Sequence, residues 1–207
     1  LFISRLRLKT GGEEGFPDSK PFCYAVCTAG DSIGKTIDTL NKCLQANLQL
    51  QAMGISQPDS DYSLIMPESY VGLPFMDVDP SEKEKRKKEK AAQQLKAICE
   101  DLRERKTGIS HLTEGPLPWF FTHIVGGFFE HVLITDKRFH VVEERCVKCG
   151  ICANVCPVGD ISGGKGKKPV WLHHDDCLTC FSCYHHCPHH AIEFGRQTQK
   201  KGQYYYK

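Results

Sequence analysis

Cys146-Val-Lys-Cys149-Gly-Ile-Cys152-Ala-Asn-Val-Cys156-Pro157, and 31 residues further on Cys177-Leu-Thr-Cys180-Phe-Ser-Cys183-Tyr-His-His-Cys187-Pro188, decide how this chain is read. Both stretches follow C-x2-C-x2-C-x3-C-P, the spacing at which cysteines ligate 4Fe–4S clusters. Soft thiolates at this density select iron–sulfur clusters or zinc over harder metals. Three cysteines spaced two apart wrap one corner of a cube, and the fourth is set back before a Pro that turns the chain away. In paired runs of this kind the fourth Cys ligates the other cluster. That rule assigns Cys146, Cys149, Cys152 and Cys187 to one cluster and Cys177, Cys180, Cys183 and Cys156 to the other. Zinc knuckles also use C-x2-C pairs, but they need neither a third Cys nor a set-back fourth followed by Pro. Dense x2 spacings suit disulfides poorly.

The repeat extends beyond the cysteines. Phe139-His-Val-Val-Glu-Glu-Arg-Cys146 answers Val170-Trp-Leu-His-His-Asp-Asp-Cys177, and Cys156-Pro-Val-Gly-Asp-Ile161 answers Cys187-Pro-His-His-Ala-Ile192. Each half reads as a strand, a cysteine loop, a short helix after the Cys-Pro and a return strand. Gly163 to Lys168 form the turn between halves. Ile151, Val155, Ile161, Phe181 and Ile192 are candidates for an apolar shell. Tyr184 is expected either to pack on a cluster or to serve the core. His185, His186, His189 and His190 flank Cys187, as a surface cluster or as pH-linked tuners of a nearby potential. The tail from Gln197, basic and ending Tyr204-Tyr205-Tyr206-Lys207, is expected to fray.

Composition narrows the classes. At 207 residues the chain suits one or two domains. A formal net charge of +2 argues for no particular partner. Each four-thiolate cluster carries roughly −2 when oxidised, so the cysteine region is more acidic than the residue count says. Twelve cysteines, eight of them in the two runs, point to a reducing, anoxic cytoplasm. The longest apolar run, Trp119 to Leu133, is interrupted by His123, Glu130 and His131 and is too short to span a bilayer.

Upstream, Leu1 to Lys9 alternates apolar and basic residues, and Gly11, Gly12, Gly15 and Pro17 make a loop. Phe22 to Thr28 reads as a buried parallel strand. A helix is expected from Lys35 to Met53, with Ile37, Leu40, Leu44, Leu48 and Gln51 or Ala52 on one face and Gly54 at C′. Tyr62 to Met66 reads as a second strand, completing a βαβ unit. Ala29-x4-Gly34-Lys35-Thr36 matches a loose P-loop, against which stand the missing first Gly and the absent Mg²⁺-binding Asp after the next strand. An ordinary βα turn and another cofactor loop stay open. Ser81 and Glu84 form a capping-box sequence opening a helix that runs to about Lys106, with Ala91, Leu95, Ile98 and Leu102 as its apolar stripe. Its basic run, Lys83 to Lys90, is interleaved with Glu and reads as a solvated face rather than a nucleic-acid site. The aromatic segment from Trp119 fits a short helix that docks between domains.

The cysteine runs resemble bacterial two-cluster ferredoxins over residues 138–196. The upstream stretch resembles the C-terminal half of a flavodoxin in Tyr24 to Gly30 with Gly34, in the Leu40/Leu44/Gly54 helix and in Met66-Pro-Glu-Ser-Tyr70. The combination is similar to flavodoxin–ferredoxin fusion proteins of anaerobic bacteria. The resemblance implies an α+β chain with a partial flavodoxin-like α/β domain at 1–79 and a helical connector at 80–137. A two-cluster ferredoxin domain with a pseudo-twofold repeat at 138–196 and a basic tail at 197–207 complete it. It further implies Thr28, Ala29 and Gly30 as a backbone loop beside the flavin ring. The family's phosphate-binding first loop is not read ahead of Leu1, so the flavodoxin half is expected to be truncated and FMN to bind only in a full-length protein. The function expected is a one-electron carrier using two 4Fe–4S clusters, coupled in the intact protein to FMN; the alternative is a flavin-dependent oxidoreductase whose clusters feed FMN. An electron-transfer protein is expected rather than a catalyst. Its partners would be redox proteins, with no nucleic acid and no membrane span, in the cytoplasm.

Overall fold

The computed structural model describes residues 20–129 and 134–206. The chain divides into two compact units, one of residues up to Met66 together with Lys85–Ile124, the other of Pro67–Glu84 together with residues from Val125 on. Among the described residues no helix is long and apolar enough to cross a membrane.

The first unit is a three-stranded parallel sheet in the order β1 (Tyr24–Ala29), β2 (Ser60–Ile65), β3 (Ile109–His111). Val26 pairs with Tyr62, and Tyr62 with His111. Parallel neighbours need crossovers. These are α1 (Thr36–Ala46) with α2 (Leu48–Ala52), and then α3 (Ser81–Arg103). The βαβ expectation is met, and β3 extends it. β1 is not buried, however: its residues alternate, leaving Tyr24 53% and Val26 39% exposed. It forms the end of the strand order, so one of its sides pairs with no described strand.

The expected Lys35–Met53 helix is two helices. Asn47 is extended, and its side chain accepts from the N–H of Gln49 and Leu50, both 3.1 Å. An Asn at that position caps a new helix more favourably than it continues an old one. The break resets the helical phase, so Leu50 is buried while Leu48 is 79% exposed. Gly54 ends α2 in the left-handed region, φ +74, with the Ile55 N–H on the Leu50 carbonyl at 2.8 Å. In α3 the Glu84 N–H bonds to the Pro80 carbonyl, so Ser81 opens the first turn and is not the cap. Its Ala91 and Ile98 are buried, but Leu95 faces solvent. Tyr62, Leu64 and Ile98 form the core beneath the sheet.

Residues 118–128 are helical, as α4 (Pro118–Phe120), a π-turn (Phe121–Val125) and α5 (Gly126–Phe128). Trp119, Phe121, Ile124 and Phe128 are all more than half exposed. The rest of the expected docking segment, residues 130–133, lies outside the described residues.

In the second unit β4 (Phe139–Val141) pairs antiparallel with β7 (Ile192–Phe194), and β5 (Ile161–Gly164) with β6 (Lys167–Trp171). The first strand of one half of the sequence repeat therefore joins the last strand of the other. The short helices α6 (Ile151–Asn154) and α7 (Ser182–His185) lie inside the cysteine runs, not after the Cys-Pro. Phe139, Trp171, Phe181 and Phe194 make the core, with Phe139 stacked on Trp171 at 5.6 Å and 4.7 Å from Phe194. Val71, fully buried, joins that core from residues 67–84.

The tail is packed. Thr198 is fully buried; its hydroxyl donates to Glu193 Oε2 (2.5 Å) and accepts from the Phe194 N–H (2.8 Å). Glu193, also fully buried, binds Arg145 at 2.6 Å. Lys201 donates to the carbonyls of Val71 (3.0 Å) and Leu73, and Tyr184 Oη to those of Lys201 (2.8 Å) and Gly202 (3.1 Å). Charged groups and backbone carbonyls that would be costly to bury alone are thereby satisfied. The bonding partners of Gln197 and Lys201 lie 125 and 130 residues away in sequence, beyond the reach of local pattern.

Tyr184→Phe keeps the ring and removes this shared hydroxyl, and should cost about 1–3 kcal/mol; anaerobic chemical denaturation of the second unit reads it. In the first unit, bonds from Lys20 (2.6 Å) and the Cys23 N–H (2.9 Å) hold the Asp59 carboxyl below its ordinary value of 3.8. The stability this contributes is complete above the ordinary value and lost as pH falls through the depressed one. Asp59→Asn should flatten that acid limb of the stability curve.

Candidate functional site

The two cysteine runs share one backbone design. Residues at equivalent places enter the left-handed region: Lys148 (φ 55) and Thr179 (φ 47), Gly150 (φ 83) and Phe181 (φ 58), Gly159 (φ 68) and His190 (φ 47). For a non-Gly residue this costs about 1–2 kcal/mol. At Phe181 the cost is offset because the ring is 1% exposed, in contact with Phe139, Phe194 and Tyr184. Burying a Phe side chain stabilises by about 1.5–3 kcal/mol. These turns aim amides at sulfur. The Asp160 N–H donates to Cys156 Sγ (3.3 Å), and at the equivalent place the Ala191 N–H donates to Cys187 Sγ (3.2 Å). The Thr179 N–H donates to Cys177 Sγ (3.4 Å).

The eight thiols divide between two cavities. One is lined by Cys146, Cys149, Cys152 and Cys187 together with Arg145, Ile151, Pro169 and Ile192. The other is lined by Cys156, Cys177, Cys180 and Cys183 with Phe139, Ile161, Trp171 and Phe181. Cys156 and Cys187 have crossed to the other run's cavity. Among the described residues no three His, Cys, Asp or Glu side chains converge on a point that would hold a single metal ion; the thiols border cavities instead.

Burial pushes the Cys152, Cys177 and Cys183 thiols above the ordinary 9.0. Neighbouring cysteines add to the shift, Cys187 and Cys149 at Cys152, and Cys180 and Cys177 at Cys183. Such thiols keep their protons at neutral pH until a cation takes their place, so metal binding here releases protons. Four soft donors to a cavity, apolar walls and amides aimed at sulfur fit a 4Fe–4S group.

The expected apolar shell is found in part. Ile151 and Ile192 line the first cavity, Ile161 and Phe181 the second, and Val155 lines neither. Pro169, Phe139 and Trp171 were not read as lining residues; the aromatic and Pro positions in the strand before each run were the available signal. Tyr184 serves the core and the tail. The four histidines are not one surface group: His189 is exposed, but His185 is buried, its Nε2 donating to the Ser69 carbonyl (2.6 Å) and its Nδ1 accepting from the Tyr204 N–H (3.1 Å). Burial lowers its pKa. His186 stacks on Tyr205 at 4.2 Å.

In the first unit Thr28 and Ala29 end β1, and Gly30 follows. The Ala29 carbonyl accepts from the Met66 N–H (2.8 Å), and the Gly30 carbonyl from Lys87 Nζ (2.7 Å). Lys35 Nζ bonds both carboxylate oxygens of Glu114 (3.0 and 2.8 Å). This engages the charge that a P-loop lysine directs at phosphate.

Comparison with known proteins bears on the second unit. Residues 139–188 match the 4Fe–4S dicluster domain family. The chain is 33% identical over 70 residues to a ferredoxin of Streptomyces griseus, a match covering 33% of this chain and 65% of that one. It is 54% identical over 28 residues to a ferredoxin of Megasphaera elsdenii, covering 14% of this chain and 52% of that one. An uncharacterized protein from the rpl9–rpl11 intergenic region of Porphyra purpurea is 34% identical over 53 residues, 23% of this chain and 71% of that one. The chain thus spans less than two thirds of either ferredoxin. No solved structure matches. The C-terminal region belongs to the 4Fe–4S dicluster domain family. It is a ferredoxin-type 4Fe–4S domain.

Gly150→Ala tests the first cavity's wall without touching a thiol. The new Cβ would lie 2.7 Å from the Gly164 carbonyl carbon and 2.8 Å from Lys165 N, at φ +83. It should cost about 1–3 kcal/mol and lower iron content. Gly166→Ala, at φ +80 with nothing within 4 Å of its Cβ, should retain iron.

Proposed function

We propose that this chain is a one-electron carrier with two 4Fe–4S clusters, one held by Cys146, Cys149, Cys152 and Cys187, the other by Cys177, Cys180, Cys183 and Cys156. The observation that supports it is the division of the eight motif thiols, four to each cavity. Each cluster, when bound, supplies a one-electron couple at low potential. The protein's own part is to hold the thiols and exclude water with Ile151, Ile192, Ile161, Phe181 and Trp171. The amides of Ala191, Asp160 and Thr179 direct N–H dipoles at sulfur, which stabilises the more negative reduced state.

The first unit is proposed as a flavodoxin-like segment. Its strands are all parallel, and open sheets of that kind bind ligands beyond the carboxyl ends of the strands. Thr28, Ala29 and Gly30 lie at such an end and would offer backbone atoms to a flavin ring in the intact protein. FMN there would accept electrons in pairs and release them singly. A flavin-dependent oxidoreductase fed by the clusters rests on the same loop. It differs in requiring substrate turnover with no partner protein present.

Paired cysteine variants test the crossed ligand sets. Cys149→Ala with Cys187→Ala removes two ligands of one cluster and should leave about four irons per chain. Cys149→Ala with Cys156→Ala strikes both clusters and should leave almost none. The opposite result, iron retained in the second pair and lost in the first, would mean that each run ligates its own cluster.

A further inference from the structure

The two cavities open beside faces that share a shape and differ in charge. At the first, Cys149 is exposed, and Val147, 58% exposed, offers an apolar centre. At the second, Cys180 is exposed, and Leu178, 56% exposed, occupies the equivalent place. Around the first stand Lys148 and Arg145, the latter already paired with the buried Glu193 carboxylate; the equivalent positions around the second are Thr179 and Asp176. The β5–β6 turn adds to the first face. Its Gly166 N–H bonds the Lys148 carbonyl at 2.8 Å, and its Gly164–Lys165 backbone covers Gly150 closely. Lys165 and Lys167 are thereby brought, both exposed, beside Lys148. Glu144 is acidic on the same face, and Glu143 is bonded to Lys168, so the face stays basic. On the second face Asp175 and Asp176 are exposed, and Asp160 lines the cavity behind them.

We infer that the face built from Val147, Lys148, Lys165 and Lys167 docks an acidic one-electron carrier protein. The inference rests on the carrier function proposed above. An exposed apolar centre ringed by one sign of charge combines close approach with steering. Complementary charge raises association rates and suppresses wrong partners. The whole-chain charge, +2 by residue count and lower by roughly 2 for each cluster bound, cannot provide this, so the local patch must. Contact over Val147 would bring the partner against exposed Cys149, the shortest way in to the first cavity. The step is a single electron leaving the reduced carrier, which is oxidised, and entering this protein, which is reduced; no proton or atom is transferred. The Asp175–Asp176 face repels the same carrier, so it enters at one end only.

The test uses the full chain, purified anaerobically, with a plant-type ferredoxin of strongly negative net charge as the probe. Binding is measured by calorimetry and electron exchange by stopped flow, at about 0.02 M and about 0.5 M ionic strength, where screening lengths differ several-fold. At low salt, Lys148→Glu with Lys165→Glu and Lys167→Glu should weaken binding and slow exchange at least tenfold, with iron content unchanged. Asp175→Lys with Asp176→Lys should not weaken either. High salt should bring wild type down to the triple variant. A triple variant that binds like wild type overturns the inference, as does a loss confined to the Asp175/Asp176 variant. So does capture by anionic phospholipid vesicles while the carrier is ignored. Failure of the carrier function shows separately, as wild type that binds the probe but lacks iron or exchanges no electrons.

Discussion

Eight thiols gathered in one small unit cannot all ionise without help. Burial already raises Cys152, Cys177 and Cys183, and each further thiolate raises its neighbours. The rest of the second unit depends on that constraint. A metal core is the natural way to neutralise four thiolates at a time, and the backbone must hold them around a volume. The left-handed residues at equivalent places in both runs do this, and Phe181 accepts the strain because its ring is a keystone of the aromatic core. The crossed pairing of β4 with β7 and β5 with β6 then carries each run's last Cys to the other run's cavity.

The same packing explains the tail. A unit this small has little apolar interior to spare for two cavities, and it recruits polar contacts from elsewhere in the chain. Residues 67–84 contribute Val71 to the core and carbonyls to Lys201, and the tail holds Tyr184, Glu193 and His185. The segment around the second cysteine run is therefore fixed by contacts from residues 67–84 and from the tail.

Much of the cysteine region was legible because ligand spacing is local: eight thiols, their repeat and the set-back fourth Cys are all written within short runs. The upstream strands and crossover were legible from apolar periodicity. The Lys35–Met53 pattern misled because Asn47 breaks it through a side-chain cap, which periodicity does not register. Leu95 fell on a plausible stripe yet is exposed, while Ala91 and Ile98 of the same stripe are buried. The short helices were placed after Cys-Pro, whereas the turn forced by Gly150 and Phe181 starts them earlier. The tail read as frayed because its composition is polar and basic. Its polar groups are satisfied by carbonyls and carboxylates distant in sequence, and composition carries no trace of that.

The most direct measurement is metal and sulfide content, with the visible spectrum, of protein purified without oxygen. The account predicts a brown protein with broad charge-transfer absorption, about eight irons and eight acid-labile sulfides per chain and little zinc. A colourless protein holding stoichiometric zinc and no labile sulfide would contradict it.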